Sequence, residues 1–309
     1  MKPKRPFTES ELIQWIRKTA RSSRHPLGIG DDAAILDAAP SGQFVLTTDM
    51  LLEGTHFESG TSPYRIGWKA AGRSLSDVAA MGCPASAITA CIVFPKGSET
   101  KSAREIVRGM RALCDKFEVP LIGGDVSAWD GPLAINVTAI GDVGKKPALL
   151  RSGAKVGDQV FVSGLLGGSI LGRHLRFEPR LELGNLLNQK FKISAMIDIS
   201  DGLACDLNHI LDESCAGAVL FEKSIPVSSA ARKLARKTGA APLEHALHDG
   251  EDYELLFTTS NSQAEKILKA SLPVSISSIG KITRSGLTLS RADGSEHPLY
   301  PRGYEHRLS

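Results

Sequence analysis

Among the 309 residues there is no run of about 18 apolar side chains, so nothing reads as a bilayer span. The opening residues, Met1 to Pro6, lack the apolar stretch of a signal peptide. Charge of one sign is also missing. Thirty-seven basic residues against 34 acidic leave +3, and no polybasic run marks a nucleic-acid surface. Cysteine is sparse: Cys83, Cys91, Cys114, Cys205 and Cys215 form an odd set without a CxxC pair. Metal-finger and redox readings are therefore weak, and reduced thiols of a cytoplasmic protein fit best. No Gly-Lys-Ser/Thr occurs, which excludes a Walker P-loop, and no short repeat or low-complexity tract breaks the chain. The partners this leaves are small molecules.

What is present is an ordinary globular composition, 42% hydrophobic and 23% charged, on a chain long enough for about two domains. A first helix is expected around Leu12, Trp15 and Ile16, with Thr8 and Glu11 at capping-box spacing. Strand-like runs follow at Ala34–Leu36 and Gln43–Thr47. Ser62-Pro63 opens a helix reaching about Met81, where Gly82 ends it. Alternation predicts strands at Ile88–Phe94, Val119–Ile122 and Leu133–Ile140, and the spacing of Ile106, Met110, Leu113 and Phe117 predicts a helix. The polar stretch from Gly141 to Gly157 is the expected boundary, dividing residues 1–145 from 146–309. Beyond it, strands are expected at Gln159–Val162, Ala195–Ile199, Ala218–Phe221, Tyr253–Thr258 and Val274–Ile279. Helices are expected at Leu203–Leu211, Val227–Lys237 and Gln263–Lys269. The class is α/β (α+β) in two halves of comparable size.

One pattern recurs: an apolar strand runs out into a loop that carries aspartate. Val45-Leu46-Thr47-Thr48 ends in Asp49, Leu121-Ile122-Gly123-Gly124 in Asp125, and Met196-Ile197 leads to Asp198 and Asp201. Gly30-Asp31-Asp32 and Gly250-Glu251-Asp252 add two corners, and Asp77 sits inside an Ala-rich helix where aspartate is a poor helix former. A single Asp beside Gly is usually a turn residue or a cap. Four or five carboxylates converging in one cleft would repel one another by several kcal/mol unless cations neutralised them. Carboxylates with Thr and Ser hydroxyls form an all-oxygen donor set suited to Mg²⁺, the usual setting of phosphoryl transfer. Gly28-Ile29-Gly30-Asp31-Asp32-Ala33 imitates a dinucleotide fingerprint, but no strand precedes it and its acids would face a pyrophosphate. The glycines from Gly164 to Gly172 read either as a phosphate-approaching loop or as a flexible connection. Arg151 at the boundary can reach a nucleotide phosphate or stand exposed in a linker.

In this order and spacing the corners resemble the thiamine-monophosphate kinase family, of the aminoimidazole-ribonucleotide-synthetase-like (PurM-like) superfamily. The matching residues include Gly28 to Ala34, Thr47-Thr48-Asp49, Gly54-Thr55-His56-Phe57, Leu75 to Gly82, Gly123-Gly124-Asp125, Arg151-Ser152-Gly153-Ala154, Asp198 to Leu203, Gly250 to Leu255 and Gly303-Tyr304-Glu305-His306. The resemblance implies two α/β domains, a homodimer joined through the N-terminal sheets, and ATP-dependent phosphorylation of thiamine monophosphate. It implies several Mg²⁺ ions held by Asp32, Thr47, Thr48, Asp49, Asp77, Asp125, Asp198 and Asp201, and leaves a K⁺ requirement open. Gly124, Asp125, Arg151 and Ser200 are then expected on ATP, and His56, Glu251 and Tyr304 on thiamine monophosphate. Asp49, Asp77 and Arg151 are the expected catalytic residues. Where the family often sets an aromatic against adenine, this chain has Val107. Rival readings are another ATP-using enzyme of the superfamily and a silent nucleotide- and metal-binding module. A selenophosphate synthetase would need a reactive Cys near the N-terminus, and the first here is Cys83.

Overall fold

The computed structural model describes residues 34–38 and 42–303. The expected first helix, the Gly28–Asp32 corner with Asp32, and Tyr304 lie outside the described residues. Two mixed sheets organise the rest. The first contains β1 (Ala34–Ala38), β2 (Gly42–Leu52), β3 (Ala85–Pro95), β4 (Leu121–Trp129) and β5 (Ala134–Val143), in the order β1-β2-β5-β3-β4. The second contains β6 (Gln159–Ser163), β7 (Ala195–Asp198), β8 (Gly217–Phe221), β9 (Leu255–Thr259), β10 (Ile276–Thr283), β11 (Leu287–Ser290) and β12 (Glu296–Pro298), in the order β12-β11-β8-β10-β6-β9-β7.

Helix α1 (Pro63–Ala80) joins the two halves. It packs across β2 and β5 and also touches β7 of the second sheet. Its ends follow the sequence signals. Pro63 takes the first turn, and Gly82, at φ 65°, closes a Schellman motif in which Gly82 N donates to Ala79 O and Cys83 N to Val78 O. Because neighbours surround it, α1 buries residues on nearly every side, from Ile66 to Ala80. One apolar core runs through it from Val45 and Ile135 to Phe161, Met196 and Phe257 of the second sheet.

That closeness depends on small residues. Helix α2 (Thr100–Lys116) lies so near α1 that a Cβ on Gly67 would stand 1.9 Å from Ile106 O, and one on Gly109 1.8 Å from Tyr64 O. These obstacles are backbone atoms, so no rotamer change relieves them. Gly109→Ala is expected to cost about 3 kcal/mol or more through forced separation of the helices, read as a lowered urea midpoint. A midpoint within error of the parent would contradict the close packing.

The remaining helices are α3 (Leu181–Lys190), α4 (Leu203–Ser214), α5 (Ser229–Thr238), α6 (Pro242–His248) and α7 (Asn261–Leu268). Helices α3 and α6 lie outside the expected helical segments. α3 carries Gly184 mid-helix, where a Cβ would meet Ala79 O at 2.2 Å, so tertiary contact with α1 rather than propensity holds that turn. β4 extends seven residues past the expected end at Ile122, to Trp129, by parallel pairing with β3. The strand expected from Tyr253 starts instead at Leu255. Among the described residues, no helix is long and apolar enough to cross a membrane.

Candidate active site

The polar residues of α1 form the spine of the site. Lys69, Arg73 and Asp77 recur every four residues, so they share one stripe of the helix. Opposite them, Thr47 and Asp49 stand two apart on β2 and therefore on one face. Thr47 Oγ1 donates to Asp77 Oδ2 at 2.5 Å. Asp49 receives Arg73 Nη2 at 3.4 Å and Ser74 Oγ at 3.2 Å. One residue before Asp77, Ser76 Oγ donates to Asp198 Oδ2 at 2.5 Å, drawing the end of β7 onto the same helix.

Two loops of the second half complete the cleft by pairing with each other. Ile199 N donates to Glu254 O, Tyr253 N to Ile199 O and Glu251 N to Ser200 O, at 2.7–2.8 Å. This pairing explains the late start of β9. Glu251 and Tyr253 both take positive φ, 52° and 50°, a costly state for non-glycine residues that persists where surroundings over-determine it. Tyr253 stacks on Phe177 with ring centroids 3.8 Å apart. Burial is the main force pushing the Tyr253 phenol well above its ordinary range.

Asp206 of α4 is an acid the sequence reading missed. Its Oδ2 accepts from Asp201 N at 3.1 Å and Gly202 N at 3.0 Å. Burial, then the Asp201 and Asp198 carboxylates, push its carboxyl well above the usual range, while the Asp201 N–H and Arg151 act the other way. Asp198, Asp201 and Arg151 are thereby placed around one buried acid. The only local sign was an Asp in the first turn of a helix following Asp201-Gly202.

The second omission is larger. Lys69 is fully buried, with Nζ 2.5 Å from Glu251 Oε1 and 2.6 Å from His56 O. Burial lowers its pKa against the pull of Glu251. This one cation therefore ties together two residues expected on thiamine monophosphate. The His56 ring is itself oriented, because Nδ1 accepts from Leu52 N at 3.0 Å and leaves Nε2 to carry the proton of the neutral ring. Arg73 loses solvation in the same pocket, yet Tyr253, Asp49, Glu251 and Asp77 around it raise its pKa and keep it charged.

Not every expected residue joins this cluster. The Thr48 hydroxyl, on the opposite face of β2, bonds Asn136 Oδ1 at 3.0 Å and Thr138 Oγ1 at 3.1 Å. Gly124 and Asp125 lie on β4, with β5 and β3 between them and β2. Asp49 pairs with Val137, Val137 with Ala90, and Ala90 with Gly124. At about 4.8 Å per strand the separation is about 14 Å. Gly124 is required there: its φ is 150°, and a Cβ would stand 1.8 Å from Ala90 O. Ser200 enters through its carbonyl, bonded by Glu251 N. The Gly164–Gly172 segment turns inward: Gly167 N donates to Asp252 Oδ2 and Gly168 N to Asp249 Oδ2. Those two amides serve the protein's own acids, which removes them from a phosphate loop.

A groove of about 430 Å³ opens between α2, β3 and β4, lined by Ile92, Phe94, Val107 and Val126 with Arg104 and Arg108 among its polar rim. Val107 is the position where the family's aromatic was expected, and Phe94 supplies a ring from the neighbouring strand.

Residues 30–143 match the family model of the AIR synthase related protein N-terminal domain, and residues 137–290 that of its C-terminal domain. The thiamine-monophosphate kinase of Rhodopirellula baltica is 39% identical, over 96% of this chain and 97% of the relative. That of Bacillus subtilis is 34% identical, over 96% and 99%. The chain belongs to the thiamine-monophosphate kinase family. A solved structure of AaThiL complexed with AMPPCP and TMP aligns with a TM-score of 0.85 at 30% identity, covering 97% of each chain. The resemblance drawn from the acidic corners is borne out, as is the two-domain α/β fold it implied.

Proposed function

We propose that the chain transfers the γ-phosphoryl group of ATP to the phosphate of thiamine monophosphate, giving thiamine diphosphate and ADP. The observation carrying this is the near-complete alignment with the AMPPCP and TMP complex. It is joined to a cleft where Thr47, Asp49 and Asp198 meet α1 and its Asp77, with Asp201 and Asp206 beside Asp198. The protein is an enzyme of phosphoryl transfer, and ATP is its co-substrate.

The donor set of that cleft fits magnesium. It is all oxygen: Thr47 bonds Asp77, Asp49 is held by Ser74, and Asp198 is drawn onto the same helix by Ser76, carboxylates and a hydroxyl of the kind a hard divalent cation takes. Asp49, Asp77, Asp198 and Asp201, with Thr47, would hold it, and Asp32 belongs with them by resemblance. Held by these residues, Mg²⁺ would supply charge neutralisation to the reacting phosphates. The chain's own groups do the remainder. The attacking phosphate oxygen is already anionic at pH 7, so the protein needs no strong base, and transfer runs directly in line without a phosphoenzyme. As the new O–P bond forms, the bond from Pγ to the bridging oxygen breaks and ADP leaves. Arg151 steadies the nucleotide phosphates. Gly124 and Asp125 hold the nucleotide toward β4, with its base in the groove of Ile92, Phe94 and Val107. His56, Glu251 and Tyr304 position thiamine monophosphate, and Glu251 faces its cationic ring. Holding two mutually repelling anions in line is positioning plus electrostatic stabilisation.

A homodimer accompanies this reading. The face of β2 and β5 opposite α1 presents Phe44 and Met50 exposed, at 37% and 55%, with Leu46 and Ile140 half-buried beside them. Such an apolar sheet face suits a second copy. A cytoplasmic setting goes with the five free thiols. A division into residues 1–145 and 146–309 is part of the same reading, supported by the separation of β1–β5 and β6–β12 into two sheets. The test is a coupled assay with ATP, Mg²⁺ and either thiamine monophosphate or aminoimidazole precursors. Thiamine diphosphate is expected from the first alone; turnover of the second alone overturns the reading.

A further inference from the structure

Cys205 and His209 stand one turn apart on α4, with Sγ 3.8 Å from Nε2, and Asp201 lies one turn upstream. One ligand atom from each of the three falls within 4.8 Å of the others, and all three residues are half-buried. Ligands at 2.3 and 2.0 Å from a tetrahedral zinc stand roughly 3.5 Å apart, close to the observed sulfur–nitrogen separation. The donor set differs in kind from the carboxylate cleft. A thiolate, an imidazole and a carboxylate select a borderline-soft cation such as Zn²⁺ over Mg²⁺. Three protein ligands also leave a fourth position open. The other described cysteines are placed differently: burial pushes Cys83 up to about 12 and Cys114 up to about 11, while Cys91 and Cys215 lie exposed.

The location gives this cluster a consequence. Asp201 is shared with the proposed magnesium donors, and the segment leading to Tyr304 crosses directly above: a Cβ on Gly303 would stand 2.7 Å from both Asp201 O and Cys205 Cβ. We propose that Asp201, Cys205 and His209 form a site for a zinc-like divalent cation that withdraws Asp201 from the carboxylate cleft and so inhibits the enzyme. The inhibition rests on the kinase reading; the site itself does not.

Co²⁺ serves as the spectroscopic probe, added to the full chain in buffer with excess Mg²⁺. One equivalent is expected to give a thiolate-to-cobalt absorption band, bleached by Zn²⁺ and lost in Cys205→Ser and His209→Ala. Absence of the band, or its survival in both variants, overturns the site. In the coupled assay Zn²⁺ is expected to inhibit the parent reversibly, with chelator restoring activity. Cys205→Ser should keep its basal rate and need at least ~100-fold more Zn²⁺. Equal zinc sensitivity in parent and variant overturns the inhibitory role. A chain inactive on thiamine monophosphate with Mg²⁺ alone would refute the kinase reading while leaving the cobalt result legible.

Discussion

Asp49→Asn should lower kcat by roughly 10²–10³-fold or more while leaving the melting temperature within a few degrees of the parent. Asparagine keeps the shape of the side chain and can still accept from Ser74 Oγ, now 3.2 Å away. What it lacks is the charge. The Arg73–Asp49 pair is long, at 3.4 Å, and its side chains are 18% and 22% exposed, so its share of stability is modest. Arg73 also keeps Asp77, Glu251 and Tyr253 as neighbours. Function is exposed to the change because Asp49, Thr47 and Asp77 converge from β2 and α1 on one point, and loss of one anion weakens cation binding where two phosphates must meet. The decisive measurement is kcat at saturating ATP, thiamine monophosphate and Mg²⁺, alongside a thermal melt. Turnover within tenfold of the parent would remove Asp49 from the phosphate-clamping role, and a collapsed melt would mean its role is structural.

The acids were legible in the sequence because each follows an apolar run. The expected strand end is met only at Asp198, the last residue of β7, whereas Asp49 and Asp125 lie inside β2 and β4, which pairing with β5 and β3 carries on to Leu52 and Trp129. Most strands were legible for the related reason that they alternate, as β3 does. The opposite charges were hidden. Lys69 and Arg73 sit in a helix of alanines, where a cation reads as the solvated side, and only the second sheet closing over α1 makes that side an interior. Asp206 was masked in the same way, inside the first turn of α4. β4 was cut short because Gly123-Gly124-Asp125 has turn composition; pairing with β3 overrides it, a non-local effect no window of sequence contains. The reversal at Glu251 and Tyr253 is likewise tertiary, since neither residue favours positive φ and the partner loop at 199–200 imposes it.

Lys69→Met is the variant in which fold and site should fail together. The substitution keeps the buried length and removes the charge, so Glu251 loses its 2.5 Å partner and the His56 carbonyl its 2.6 Å donor. Removing one member of a buried ion pair typically costs 3–5 kcal/mol, because the remaining charge is stranded. Glu251 is 27% exposed along its side chain, which places the expected loss at about 3 kcal/mol, the lower end of that range. In function the split is more telling than the size. Lys69 bonds the two residues assigned to thiamine monophosphate, so KM for thiamine monophosphate should rise at least ~10-fold with KM for ATP little changed. Adding Glu251→Gln to Lys69→Met should recover part of the lost stability, since the stranded carboxylate is gone, without restoring substrate affinity. Urea unfolding of the parent, both single variants and the double variant gives the coupling, and steady-state kinetics give the two KM values. Equal increases in both KM values, or no coupling between the two substitutions, would show that Lys69 merely fills space beneath the site instead of holding its thiamine-facing side in place.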